Sequence, residues 1–83
     1  MSTGSIQERV VAVVCDCFGK IEEEVNLETR FVEDLGSDSL DMAEMVMQLE
    51  EKFEIVIPDN VAENIKTIGQ AVEYIAGVFE KTD

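Results

Sequence analysis

Ser39 stands between Asp38 and Leu40 in GSDSLDMAEMVMQLEEKF, Gly36 to Phe53, and its hydroxyl raises the first question about chemistry in this chain. A nucleophilic serine needs a base, usually an imidazole, and an oriented site for the developing oxyanion. The chain contains no histidine, and an unperturbed carboxylate is too weak a base at neutral pH. The residue types therefore argue against self-catalysis at Ser39. A serine in the first turn of an exposed helix has another use, as the acceptor of a group attached by a different protein. Free backbone N–H groups and the helix dipole stabilise an anion attached there, so phosphate chemistry fits. The plainer alternative is an ordinary serine beside an aspartate cap.

Other chemistry is poorly supported. The string DSL is shared with the GDSL hydrolases, but Ser37 stands where their Gly would be, and 83 residues are too few for an α/β hydrolase. Cys15 and Cys17, two apart on a helix, point to nearly opposite faces and cannot pair with each other. Free, mostly buried thiols are expected, and with no His and no further Cys the pair lacks partners for a specific metal site. The segment EDLGSDSLDMAE is rich in carboxylates yet lacks the spacing and terminal Glu of an EF-hand loop. Nineteen Asp and Glu against six Lys and Arg give a formal charge of -13. That charge repels nucleic acid and anionic lipid and favours a basic protein surface. The N-terminal MSTGSIQERV has no leader pattern, and no apolar run approaches the ~20 residues of a membrane span, so a cytoplasmic protein with no membrane insertion is expected.

The elements that must position Ser39 follow from periodicity. A chain of 83 residues makes one domain, residues 1–83, with a modest core. From a Ser5 cap, Ile6, Val10, Val13, Val14 and Cys17 repeat with helical spacing, widened by Val11, Cys15 and Phe18, up to Gly19. Lys20 to Ser37 loses the period, with Ile21, Val25, Leu27, Phe31, Val32 and Leu35 expected to anchor a long packed loop. Leu35-Gly36 makes a turn and Asp38 caps a second helix that runs to about Phe53, where β-branched Ile55 to Ile57 and then Pro58 stop it. A short helix over Asn60 to Ile65 follows. Thr67 and Gln70 form a capping box for a last helix with Ile68, Val72, Ile75, Ala76 and Phe79 on one side. The fold class is all-α: a four-helix bundle of three longer helices and one short one, with a long loop between helices 1 and 2.

The second helix carries two apolar stripes. Met42, Met45, Val46, Leu49 and Phe53 suffice to dock it. Leu40, Ala43 and Met47 form a second stripe with Glu44, Glu50, Glu51 and Glu54 around it. Either a neighbouring element covers that stripe, or it is an apolar centre inside an acidic rim that meets a partner carrying Arg and Lys.

FVEDLGSDSLD, Phe31 to Asp41, followed by MAEMVMQLEEKF and by IPD at Ile57 to Asp59, resembles the acyl carrier proteins of dissociated (type II) fatty acid synthesis. The resemblance extends from the helix around IQERV to the final AVEYI. It implies a four-helix bundle in which Ser39 carries 4'-phosphopantetheine, derived from coenzyme A and joined through a phosphodiester by a phosphopantetheinyl transferase. The arm's thiol holds acyl groups as thioesters and presents them to fatty acid synthesis enzymes and acyltransferases with basic docking patches. The carrier itself is not an enzyme, and a monomer is the default. The matching recognition positions are Asp38, Leu40, Asp41, Ala43, Glu44, Met47, Glu50 and Glu51. The family also encloses the acyl chain between its helices, with Val14, Met42, Met45, Val46, Leu49, Ile65, Ile75 and Phe79 as candidates to line that space. Family members commonly have Ala where Ser37 stands, a larger aliphatic residue at Ala43, and acidic residues at Asn60 and Val61. A specialised carrier for polyketide, lipid A or another modified acyl product is the nearest alternative. An acidic Ca²⁺-binding or helix-binding regulator is a more distant one.

Overall fold

Ser5 begins the first helix by accepting a hydrogen bond from the Glu8 N–H at 3.1 Å, which satisfies one of the free donors of the first turn. This computed structural model describes residues 5–80; the expectation about a leader falls partly on residues outside that range. Helix α1, Ile6–Phe18, ends where Gly19 takes a left-handed conformation (φ 68°) and Lys20 N–H reaches back to Cys15 C=O at 3.0 Å. A single 3-10 turn follows at Glu22–Glu24. Helix α2 spans Ser39–Phe53, α3 spans Asp59–Asn64 and α4 spans Ile68–Glu80. The architecture is an all-α bundle of three long helices and one short one, as the periodicity implied. The described residues contain no strand, only an isolated antiparallel bridge between Arg30 and Thr67.

Helix α1 is the element on which both α2 and α4 pack. Each of the three long helices contributes one stripe to the core: Val10, Val13 and Val14 from α1, Met45, Leu49 and Phe53 from α2, Ile68, Ala71 and Ile75 from α4. Phe31, Ile57 and Ile65 complete it from the connecting segments. Each large side chain buried this way stabilises the fold by about 1.5–3 kcal/mol before entropy is counted. At the far end of the bundle Arg9 lies over the Phe53 ring, 4.5 Å from its centroid, and donates to the Lys52 carbonyl at 3.2 Å. Phe79 reaches the other side of this corner, its ring centroid 6.0 Å from that of Phe53.

The long loop between α1 and α2 is held chiefly by its backbone. Phe31 N–H donates to Lys66 C=O (3.0 Å), Ile68 N–H to Thr29 C=O (3.1 Å) and Gly69 N–H to Leu27 C=O (2.8 Å). These three bonds stitch the loop to the start of α4. Of the six expected anchors, Phe31 is buried and Val25 and Leu35 are half-buried, whereas Ile21, Leu27 and Val32 are exposed. An aperiodic segment has no pattern from which the direction of a side chain can be read, so apolar type alone misplaced those three. The thiols also differ from expectation, Cys15 being half-buried and Cys17 exposed.

Helix α3 is one residue displaced from the expected span. It begins after Pro58, whose ring pre-sets the backbone. None of its residues is buried, so it is fixed mainly through the buried Ile57 and Ile65 on either side of it. Val61 and Ala62 of α3 are only half-buried against the core, and a groove stays open between α3 and α2.

Candidate functional site

Two hydrogen bonds fix the start of α2. Asp38 Oδ1 accepts from Asp41 N–H at 2.9 Å, and Asp41 Oδ2 accepts from Asp38 N–H at 3.3 Å. This reciprocal capping box, with aspartate in place of the usual glutamate, holds the chain where it enters the helix. Ser39 is the first residue of α2 and is exposed. Its hydroxyl makes no hydrogen bond to a described residue, so it is free to react with something brought to it. Gly36, at φ 68°, supplies the left-handed turn that sends the chain from the loop into the helix.

Ser39 lies at the edge of an open groove of about 950 Å³, at the upper end of the roughly 300–1,000 Å³ typical of small-molecule sites. Its walls are the α2 residues Met42, Ala43, Val46, Met47 and Glu50, the loop residues Phe31, Val32, Glu33, Ser37 and Asp38, and Ile57, Ala62 and Ile65 around α3. Lys66 also lines the groove. Of the expected acyl-lining residues the groove gathers Met42, Val46 and Ile65. Val14, Met45, Leu49 and Ile75 sit in the closed core, and Phe79 is at the Phe53 corner. Phe31, Ser37, Ile57 and Ala62 line the groove without having been singled out as candidates. Phe31, Ser37 and Ile57 come from connections and Ala62 from the short α3, where no long periodicity marks a shared face.

The second stripe of α2 is open. Leu40 is 66% exposed and Met47 56% exposed, with Ala43, Glu44 and Glu51 exposed beside them. No element among the described residues covers it. Asp41 and Glu50 are half-buried, and each carboxylate is already committed. Asp41 serves the capping box, and Glu50 Oε2 accepts from Ile57 N–H at 2.7 Å across the turn that ends α2. Met47 forms a ridge, with the groove on one side and a smaller acidic hollow on the other. That hollow is lined by Asp16, Cys17, Asp41, Glu44, Gln48 and Glu51. The Cys17 thiol is pushed above its ordinary pKa, chiefly by partial burial and further by Asp16 and Glu44, which keeps it protonated and sluggish as a nucleophile. Cys15 is raised likewise, by burial first and then by Glu22, Glu24 and Glu23. No group of residues that could hold a metal ion exists among the described residues, and no described helix is long and apolar enough to cross a membrane.

Comparison with known families gives a match to the phosphopantetheine attachment site over residues 8–75. The chain belongs to this family. Phosphopantetheine-attachment domains carry a 4'-phosphopantetheine prosthetic group and act as carriers, with the chemistry performed by a transferase and by partner enzymes. In this domain the match runs from the first turn of α1 to the buried Ile75 of α4, so it includes the groove, the capping box and the open stripe.

Proposed function

We propose that this chain is an acyl carrier protein of dissociated fatty acid synthesis, with Ser39 as the residue that bears the phosphopantetheine arm. The observation that carries the reading is the placement of Ser39. It is an exposed serine with an uncommitted hydroxyl, at a helix start, at the edge of an apolar groove, within a chain of the phosphopantetheine attachment family. The residues present fit such a group. The capping box leaves the N–H groups of Ser39 and Leu40 free at the helix start, where they favour an anion. The groove offers apolar walls to a flexible chain.

When bound, the arm supplies a thiol on which acyl groups are carried as thioesters. This chain's residues hold, orient and present. The capping box of Asp38 and Asp41 fixes the serine. Leu40, Ala43 and Met47 give a partner an apolar centre, and Asp38, Glu44 and Glu51 surround it with negative charge that steers basic surfaces into register. Met42, with the half-buried Val46 and the buried Ile65, forms the part of the groove where an acyl chain would shelter, and the unbranched Met42 can repack around different guests.

The test is a panel of partners. The phosphopantetheinylated protein, charged with malonyl or acyl groups, is offered to condensing and reducing enzymes of dissociated fatty acid synthesis and, in parallel, to polyketide and lipid A acyltransferases. Efficient turnover with the first set supports the proposal. Turnover confined to the second set would replace it with a specialised carrier.

A further inference from the structure

Ser37 Oγ is a buried side-chain oxygen with no hydrogen-bond partner among the described residues. The residue is only 6% exposed, in the wall of the groove, two positions before Ser39. Its backbone N–H is already used, donating to Phe31 C=O at 2.9 Å. A buried hydroxyl left unpaired destabilises the fold relative to an alanine of similar size, because it has lost its water and gained nothing. The other polar groups close to it along the groove are committed or at the rim. Asp38 caps the Asp41 N–H, Glu50 holds the Ile57 N–H, and Lys66 is exposed.

We propose that Ser37 Oγ is the polar contact of the groove for the prosthetic arm, donating a hydrogen bond to an oxygen in the part of the arm nearest its attachment. The inference rests on the reading that Ser39 bears the arm. Cα atoms two positions apart are separated by at most about 7.6 Å. The first hydroxyl and first amide carbonyl of phosphopantetheine lie only a few bonds from its phosphate, so they fall within that span, whereas the far amide and the thiol extend beyond it. Rotation about the single Cα–Cβ bond of Ser37 turns the hydroxyl from the wall into the groove. Half-buried Met42, unbranched and in the same wall, can move aside to admit it. An arm held there lies along the groove toward α3, with its acyl group among Val46, Ile57 and Ile65.

The experiment uses the full chain, wild type and Ser37→Ala, each before and after loading by a phosphopantetheinyl transferase with coenzyme A, and melting is followed for all four forms. Intact mass is checked first. An absence of mass gain in the folded wild type would overturn the attachment reading and this contact with it. Once loading is complete, unloaded Ser37→Ala is expected to melt above unloaded wild type. Loading should then raise the melting temperature of wild type more than that of Ser37→Ala, by the about 4–8 °C that one hydrogen bond represents in a domain of this size. Equal effects of loading on the two chains would overturn the contact and leave attachment standing. A difference seen only when the arm carries a β-hydroxyacyl group, and not with the bare arm, would also overturn it, because the partner would be cargo. With a ¹³C-labelled arm, cross-relaxation between the Ser37 β-protons and the arm's geminal methyl groups is the direct signature. Its absence at full loading counts against the contact.

Discussion

Replacing Glu50 with alanine removes the acceptor that Ile57 N–H uses at 2.7 Å. Ile57 is 4% exposed, so water has poor access to the amide once the carboxylate is gone. A hydrogen bond to a charged acceptor contributes about 1.5–3 kcal/mol, and a buried donor left without a partner costs a similar amount. Against this, losing one carboxylate from an acidic helix relieves roughly 0.2–0.5 kcal/mol of like-charge repulsion. The net loss is about 2 kcal/mol, which lowers the melting temperature of a domain this small by roughly 8–16 °C. Glu50→Gln keeps an oxygen within reach of the amide and should recover most of that loss. The assay is thermal melting followed by circular dichroism at fixed ionic strength, with hydrogen exchange at the Ile57 amide as the local reporter. In Glu50→Ala that amide should lose protection ahead of the α1 and α4 amides. An alanine variant melting within about 2 °C of wild type, or a glutamine variant as unstable as the alanine one, would refute the assignment. Glu50 would then be a rim charge and nothing more.

The two glycines of α4 should respond oppositely to alanine. At Gly69 a Cβ would meet Leu27 C=O at 2.9 Å, so the loop-to-helix stitch must shift and Gly69→Ala should lower stability despite alanine's better helix propensity. At Gly77 nothing lies within 4 Å, and Gly77→Ala should raise stability by about 0.5–1 kcal/mol in a denaturant titration. Reversing the rim with Glu44→Lys and Glu51→Lys together should slow association with a phosphopantetheinyl transferase, more at low salt than at high, as read by stopped-flow binding; rates equal to wild type at low salt would place docking elsewhere. Asp34 is held below the ordinary carboxylate pKa, first by the hydrogen bond from the Arg30 side chain and then by that from the Arg30 backbone N–H. The stabilisation from this pair is therefore present above the ordinary carboxylate pKa and is lost as pH falls through the depressed one. A carboxyl titration by NMR should show Asp34 protonating below its model-peptide value of about 3.9, and Asp34→Asn should flatten that part of the acid stability profile.

The helices were legible because their signals are local. Ser5 and Gly19 bracket α1, Asp38 opens α2, and Thr67 with Gln70 opens α4 through bonds of 3.1 and 3.2 Å. The two stripes of α2 were legible from spacing alone, and the outer one is indeed open to solvent. What could not be read depends on contacts between segments of different period. Glu50 looks like any rim carboxylate until the turn after Phe53 brings Ile57 back toward it. Ser37 looks like a solvated turn residue, and only the left-handed Gly36 and the bond to Phe31 C=O reveal that it is turned inward. The residues expected to line an acyl space were chosen as one apolar set. The packing divides them between a closed core around Leu49 and a groove around Met42, Val46 and Ile65, because α3 lacks a buried face to close against α2. The reciprocal bond from Asp38 N–H to Asp41 also escaped the sequence, since aspartate at that position is less usual than glutamate.

Attachment of the arm at Ser39 is the claim on which the rest depends, and intact mass tests it most directly. Wild type and Ser39→Ala are each incubated with coenzyme A, Mg²⁺ and a broad-specificity phosphopantetheinyl transferase, after circular dichroism has shown both to be folded. A gain of one phosphopantetheine is expected in wild type and none in the variant. A folded wild-type chain that gains no mass, or a Ser39→Ala chain that gains as much as wild type, would contradict it.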